Sequence, residues 1–168
     1  MSHAIVSKSS STKITSIEAL KAAVLKMGLD FRVCEPRKGH YRTWKDEHNG
    51  WAGDWPLPKG VSATEMGDNA DYVISVPLAK DPGRKCYEVG IVWDEADKCW
   101  YPAHDFYAEG YGIEEYIGKT EVKGTTVIKS HQKLMDYYNV AKVATKQRAK
   151  GKVVEFISVN QKPVLRIQ

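Results

Sequence analysis

The chain has 168 residues, 42% of them hydrophobic and 27% charged, with a net charge of +4. That balance suits one globular domain with a sizeable core. No apolar run approaches the ~20 residues that span a bilayer, and the N-terminus lacks the apolar stretch of a signal peptide, so a cytoplasmic protein with no membrane contact is expected.

Three cysteines, Cys34, Cys86 and Cys99, form no C-x-x-C pair, and their odd number argues against a disulfide framework. Buried reduced thiols are expected. The charges are segregated. Acids dominate residues 94–115 and bases dominate 129–152. Such polarity can steer an anion or a partner, or mark the solvated faces of two elements.

In chain order, Ile5 and Val6 open a strand. Thr15-Ser16-Ile17-Glu18 reads as a capping box with Thr15 at the cap. The helix after it carries Ile17, Leu20, Val24 and Met27 on one stripe, and Gly28 suits its left-handed end. Leu29, Phe31 and Val33 alternate along a second strand. Residues 36–69 then break every period with Gly and Pro, a long insertion of the kind that is functional or unstructured. It holds Trp44, Trp51 and Trp55, of the chain's five tryptophans, so partial order is expected.

Residues 71–77 read as a strand, and Asp81-Pro82-Gly83-Arg84 as a turn. A hairpin follows, with residues 86–93 returning as 98–105 around an acidic turn. Pairing outward from Asp94 and Asp97 sets Ile91 opposite Trp100, Trp93 opposite Lys98, Val89 opposite Pro102 and Tyr87 opposite His104. Pro102 places the return strand at an edge or a bulge. A short helix is predicted at 113–117. A long one is predicted at 126–149, with Val127, His131, Leu134, Tyr138 and Ala141 on its stripe. A closing hairpin turns at Asn160-Gln161-Lys162. This order predicts an α+β fold: a mainly antiparallel sheet, two helices packed on one face, and a long Trp-rich loop insertion at 36–69.

Several of these strings carry a resemblance. Ser2-His3 after the initiator Met, the 17–28 helix, Tyr87-Glu88-Val89-Gly90 with Trp93, the Trp100 to Asp105 return strand, and Tyr137-Tyr138 before a closing strand are its marks. The chain resembles a family of small proteins of unknown function from cyanobacteria, plastids (a hypothetical chloroplast reading frame) and tailed phages. The resemblance implies an intracellular protein of phage type and carries over no activity. The chain departs from the family at Ala4, where Phe is usual, and in the Trp-rich insertion.

The sequence has no P-loop, dinucleotide fingerprint, zincin or nucleophile-elbow string. His40 and His48 lack metal-ligand spacing, and neither a metal nor a cofactor is expected. His104 with Asp105 is the best acid–base candidate, although neighbours on a strand face opposite ways. His131 reads as a core residue or a catalytic one. Ser2-His3 reads as a tied-in strand or as an amine–imidazole anion site.

Arg37, Lys38, His40, Tyr41, Arg42 and Trp44 interleave cations with aromatics, and Trp51 and Trp55 follow. Flat rings stack on bases and guanidinium groups hold phosphates. The same residues dominate protein interfaces, or can bury themselves as a small loop core. The expected function is a non-enzymatic binding protein that takes an anionic ligand, a nucleotide or nucleic acid, or blocks a host protein. The alternatives are a small hydrolase or nuclease using His104, Asp105 or His131, and an adaptor subunit of a larger machine.

Overall fold

The computed structural model describes residues 4–47, 66–124 and 126–168. Its elements are β1 (Ala4–Val6), α1 (Ile17–Lys26), β2 (Asp30–Val33), α2 (Trp44–Glu47), β3 (Ala70–Ser75), β4 (Val89–Asp94), β5 (Cys99–Asp105), α3 (Ile113–Ile117), β6 (Glu121–Lys123), β7 (Thr126–Lys129), α4 (Gln132–Ala149), β8 (Val154–Val159) and β9 (Lys162–Ile167). Five strands form an antiparallel sheet in the order β1-β5-β4-β3-β2. The pairs β6–β7 and β8–β9 form separate ribbons. The class is α+β, as the alternating and helical periods imply.

The sheet carries a core on each face, because residues two apart on a strand share a side. Ile74, Val89 and Ile91 join Leu20, Ala23 and Val24 of α1 and Leu134, Met135, Tyr138 and Ala141 of α4 in the larger cluster. Tyr41, Ala70, Val73 and Ala103 form the smaller one with Ala4. Trp93 and Trp100 are half-buried, edge to face with ring centroids 4.7 Å apart. The three thiols are free, with Cys99 buried and Cys34 and Cys86 half-buried.

Several boundaries differ from the sequence reading. In the β4–β5 hairpin Trp93 pairs with Trp100 and Ile91 with Pro102, two residues from the expected register. A two-residue shift keeps every side chain on its predicted face. The turn is longer because Asp94 accepts from the Asp97 amide at 2.9 Å and Lys98 takes φ 51°. Pro102 is not at a sheet edge: β5 lies between β1 and β4. The α1 cap is Ser16, whose Oγ accepts from the Ala19 amide at 3.2 Å. The Thr15 amide instead donates to the Tyr138 hydroxyl at 2.9 Å, which ties the start of α1 to α4.

The long helix begins at Gln132, not near 126. Thr126, Val127 and Ile128 form β7 instead. Consecutive β-branched residues favour the strand, and Gly124 at φ 63° makes the turn from β6. In the closing hairpin Asn160 and Gln161 both have positive φ, 49° and 61°. They form a two-residue turn whose twist suits the flanking strands, and Lys162 already pairs with Val159.

Candidate functional site

The described part of the insertion continues the antiparallel pairing of β2 past the start of β3. Gly39 pairs with Ala70, and the Tyr41 amide donates to the Gly67 carbonyl at 2.7 Å. This fixes the alternation of the predicted site residues. Tyr41 is fully buried, its ring lying over Gly90; it is core, not a surface contact. Its neighbours His40 and Arg42 consequently face a cavity. Arg37 sits at φ 60° with its amide on Asp71 (2.7 Å) and its guanidinium on Glu95 (3.3 Å). Lys38 pairs with Glu35. Neither Arg37 nor Lys38 lines that cavity. Trp44 is half-buried against the larger core, its amide on Asp105 at 3.0 Å. Trp51, Trp55 and His48 lie outside the described residues, as do Ser2 and His3.

The cavity, of about 690 Å³, brings His40 and Arg42 together with Arg32 of β2 and Arg84 of the 81–84 turn. Phe31, Val76 and Leu78 supply its apolar wall. Sequence reading missed Arg32 and Arg84, because they belong to the strand before the insertion and to a turn after it, and only the fold brings both to His40 and Arg42. Each ring nitrogen of His40 meets a carboxylate: Nε2 to Asp46 at 2.7 Å, Nδ1 to Asp68 at 2.9 Å. Carboxylates only accept, so both nitrogens donate and the ring is an imidazolium. The Asp46 hydrogen bond, opposed by burial and aided by Asp68, raises its pKa to about 9.

Among the described residues, four carboxylates also line this cavity, those of Asp30, Asp46, Asp81 and Glu88. Three of them are engaged by the protein. Asp46 accepts from His40 and from the Thr43 amide at 2.8 Å. Asp81 accepts from the amides of Lys85 (3.0 Å) and Cys86 (2.8 Å). Glu88 accepts from the Arg42 amide at 2.9 Å. Arg84 is exposed, and its guanidinium has no hydrogen bond or ion pair to the described residues. The cavity thus combines an apolar wall, cationic groups and carboxylates, of which Asp46, Asp81 and Glu88 are hydrogen-bonded to the protein.

The alternative candidates separate as strand alternation requires. Asp105 faces the smaller core and binds the Trp44 and Tyr107 amides, both at 3.0 Å. His104 faces the helices, where its Nδ1 lies 2.9 Å from His131 Nε2 and its Nε2 2.9 Å from Glu114 Oε1. Thr120 donates to Glu114 through its amide (3.0 Å) and its hydroxyl (2.6 Å). Burial raises the Glu114 pKa, but the His104 and Thr120 hydrogen bonds outweigh it and hold the carboxyl below its usual range. Burial, then the neighbouring His104, push the His131 pKa well below the ordinary imidazole value. Glu114 carried no sequence signal, since it reads as one of two acids on a short helix.

Comparison with protein-family models, with curated proteins and with solved structures finds no match to this chain.

Proposed function

We propose that the protein is a binding protein for a small anionic ligand of the nucleotide class, held in the cavity between β2 and the 78–88 segment. The observation that supports this reading is the convergence of Arg32, Arg42, Arg84 and the imidazolium of His40 around a space of about 690 Å³. That size lies within the range of cofactor-sized sites, which bury a flat apolar group and orient it with a few polar ones. Phe31, stacked on Tyr72 with centroids 5.4 Å apart, offers a ring to a base. The arginines offer planar donors to phosphate. Asp30 offers an acceptor to a base amino group. In the phage-type setting that the family resemblance implies, such a protein sequesters a host nucleotide.

The test is calorimetric titration with nucleoside mono-, di- and triphosphates, with pyrophosphate and a short oligonucleotide as comparators. Saturable nucleotide binding is expected. Arg84→Ala should weaken it about tenfold or more, the scale of one charge-assisted hydrogen bond. It should also lower the salt dependence. Because Arg84 is exposed, its melting temperature should not move. Absence of saturable binding by any nucleotide to folded protein refutes the proposal.

A further inference from the structure

A second cavity, of about 350 Å³, shares no lining residue with the first among the described residues. Ser7 and Ser130 both line it. Ser7 follows β1, its amide on the Pro102 carbonyl (3.0 Å) and its carbonyl on the Thr12 hydroxyl (2.6 Å), so its backbone is held from two sides. The two serine hydroxyls hydrogen-bond each other. They lie 3.1 Å (Ser7) and 2.9 Å (Ser130) from His131 Nδ1. Ser7 is half-exposed and Ser130 is 9% exposed.

For two neutral rings, hydrogen-bond chemistry sets the direction of the chain behind them. The Glu114 carboxylate can only accept, so His104 Nε2 carries the proton facing it. His104 Nδ1 is then a lone pair and accepts from His131 Nε2–H at 2.9 Å. That leaves the lone pair of His131 Nδ1 pointing at the two hydroxyls. A fully buried imidazole is a poor place for a positive charge. This chain provides a better one, because a proton arriving at His131 releases another to His104, beside a carboxylate.

We propose that Ser7 is a nucleophile that cleaves small carboxylic esters, with His131, His104 and Glu114 as its proton relay. Ser7 Oγ attacks the ester carbonyl carbon. Its proton passes to His131 Nδ1 while the Nε2 proton of His131 passes to His104 Nδ1, so the charge rests on His104 against Glu114. The relay then runs back and protonates the departing alcohol, leaving acyl-Ser7. Water attacks the acyl carbon by the same route, which frees the acid and restores the hydroxyl. Ser130 holds the Ser7 hydroxyl in line. The eighteen-residue helix α4 begins just after Ser130, and its N-terminal dipole favours the oxyanion. The cavity suits an uncharged ester. Val6, Val127 and Ile128 line it, and its lysines are already matched, Lys8 by Asp94 and Lys129 by Glu121.

The experiment treats the full chain with a fluorophosphonate, maps the adduct by mass spectrometry, and follows p-nitrophenyl acetate hydrolysis. A single adduct on Ser7 is expected, absent from Ser7→Ala and forming more slowly, still on Ser7, in Ser130→Ala. His104→Gln keeps a donor and an acceptor in place but cannot take the proton. Labelling should fall about 10²-fold or more, the scale of general-base assistance, with an unchanged melting temperature. The pH of half-maximal labelling should move in His104→Gln and stay in Ser130→Ala. The charged groups around the relay and its cavity, Glu114 with nearby Lys119 and the cavity-lining Lys8 and Lys129, are common to both variants. An adduct on Ser130 or elsewhere, no adduct on folded protein, or full-rate labelling of His104→Gln overturns the proposal. Nucleotide titration is a separate readout, because Ser7→Ala leaves the arginine-lined cavity untouched.

Discussion

Replacing Gly90 by alanine adds one methyl group to β4 where the Tyr41 ring crosses the strand. The new Cβ would lie 2.3 Å from Tyr41 Cδ1 and 2.4 Å from Cε1, whereas carbon atoms rest at about 3.5–4.0 Å. The ring must therefore shift by about 1 Å, and it is fully buried against Ala70, Val73 and Ala103. Gly90 does not have a positive φ, so alanine brings no backbone strain and even gains about 0.4–1 kcal/mol by restricting the unfolded chain. Overpacking costs about 1–3 kcal/mol, and expelling the ring instead forfeits about 1.5–3 kcal/mol of burial. A net loss of about 1–2 kcal/mol is expected. In urea the midpoint should fall by roughly 1 M at constant slope. Gly83→Ala is the control, since the atoms nearest its Cβ belong to the flexible Lys85 side chain, at 3.5 Å. In a Tyr41→Ala background the added methyl occupies vacated space, so most of its cost should vanish. An unchanged midpoint, or an equal cost in both backgrounds, would show that Tyr41 does not lie on Gly90. The assignment of His40 and Arg42 to the cavity would fall with it.

Stability should also decline on the alkaline side because of His40. Its folded pKa of about 9 exceeds the ordinary 6.5, so its contribution is complete below about pH 6.5 and lost as pH rises through 9. The whole difference corresponds to about 3 kcal/mol; with 43% of the side chain exposed, solvent screening brings it nearer ~1 kcal/mol. Denaturation curves from pH 6 to 10 should show the loss in the native chain and not in His40→Gln. Tyr138→Phe removes the acceptor for the Thr15 amide and for the Ser16 amide at 3.2 Å. It should lower the unfolding free energy by about 1–3 kcal/mol, and a change under ~0.5 in urea titration would contradict that pairing. Asp105→Ala strands the Trp44 and Tyr107 amides and should cost about 2–3 kcal/mol. Its fluorophosphonate labelling should persist, which separates a structural carboxylate from the relay.

The class of the fold was legible along the chain, because strand and helix periods are local. Tyr72, Ile74, Val89 and Ile91 alternate, and Leu20 and Val24 recur at helical spacing, so each face was known before any partner was. The 113–117 helix and the closing hairpin were equally local. Register was not, since a shift of two residues preserves every face and only the Trp93–Trp100 pair and the turn geometry decide it. The start of α4 was not either, because Val127 and Ile128 fit a helical stripe until pairing with β6 claims them. At the sites, sequence marked the loop 37–55 and the histidines 104 and 131, since composition and residue type are visible in one dimension. It could not tell that Tyr41 turns inward while His40 and Arg42 turn outward, a choice made by the Gly39–Ala70 pairing. Nor could it unite Ser7, His104, Glu114 and Ser130. They come from β1's end, β5, α3 and the approach to α4, and only the packing of those elements brings hydroxyl, imidazole and carboxylate into one hydrogen-bonded line.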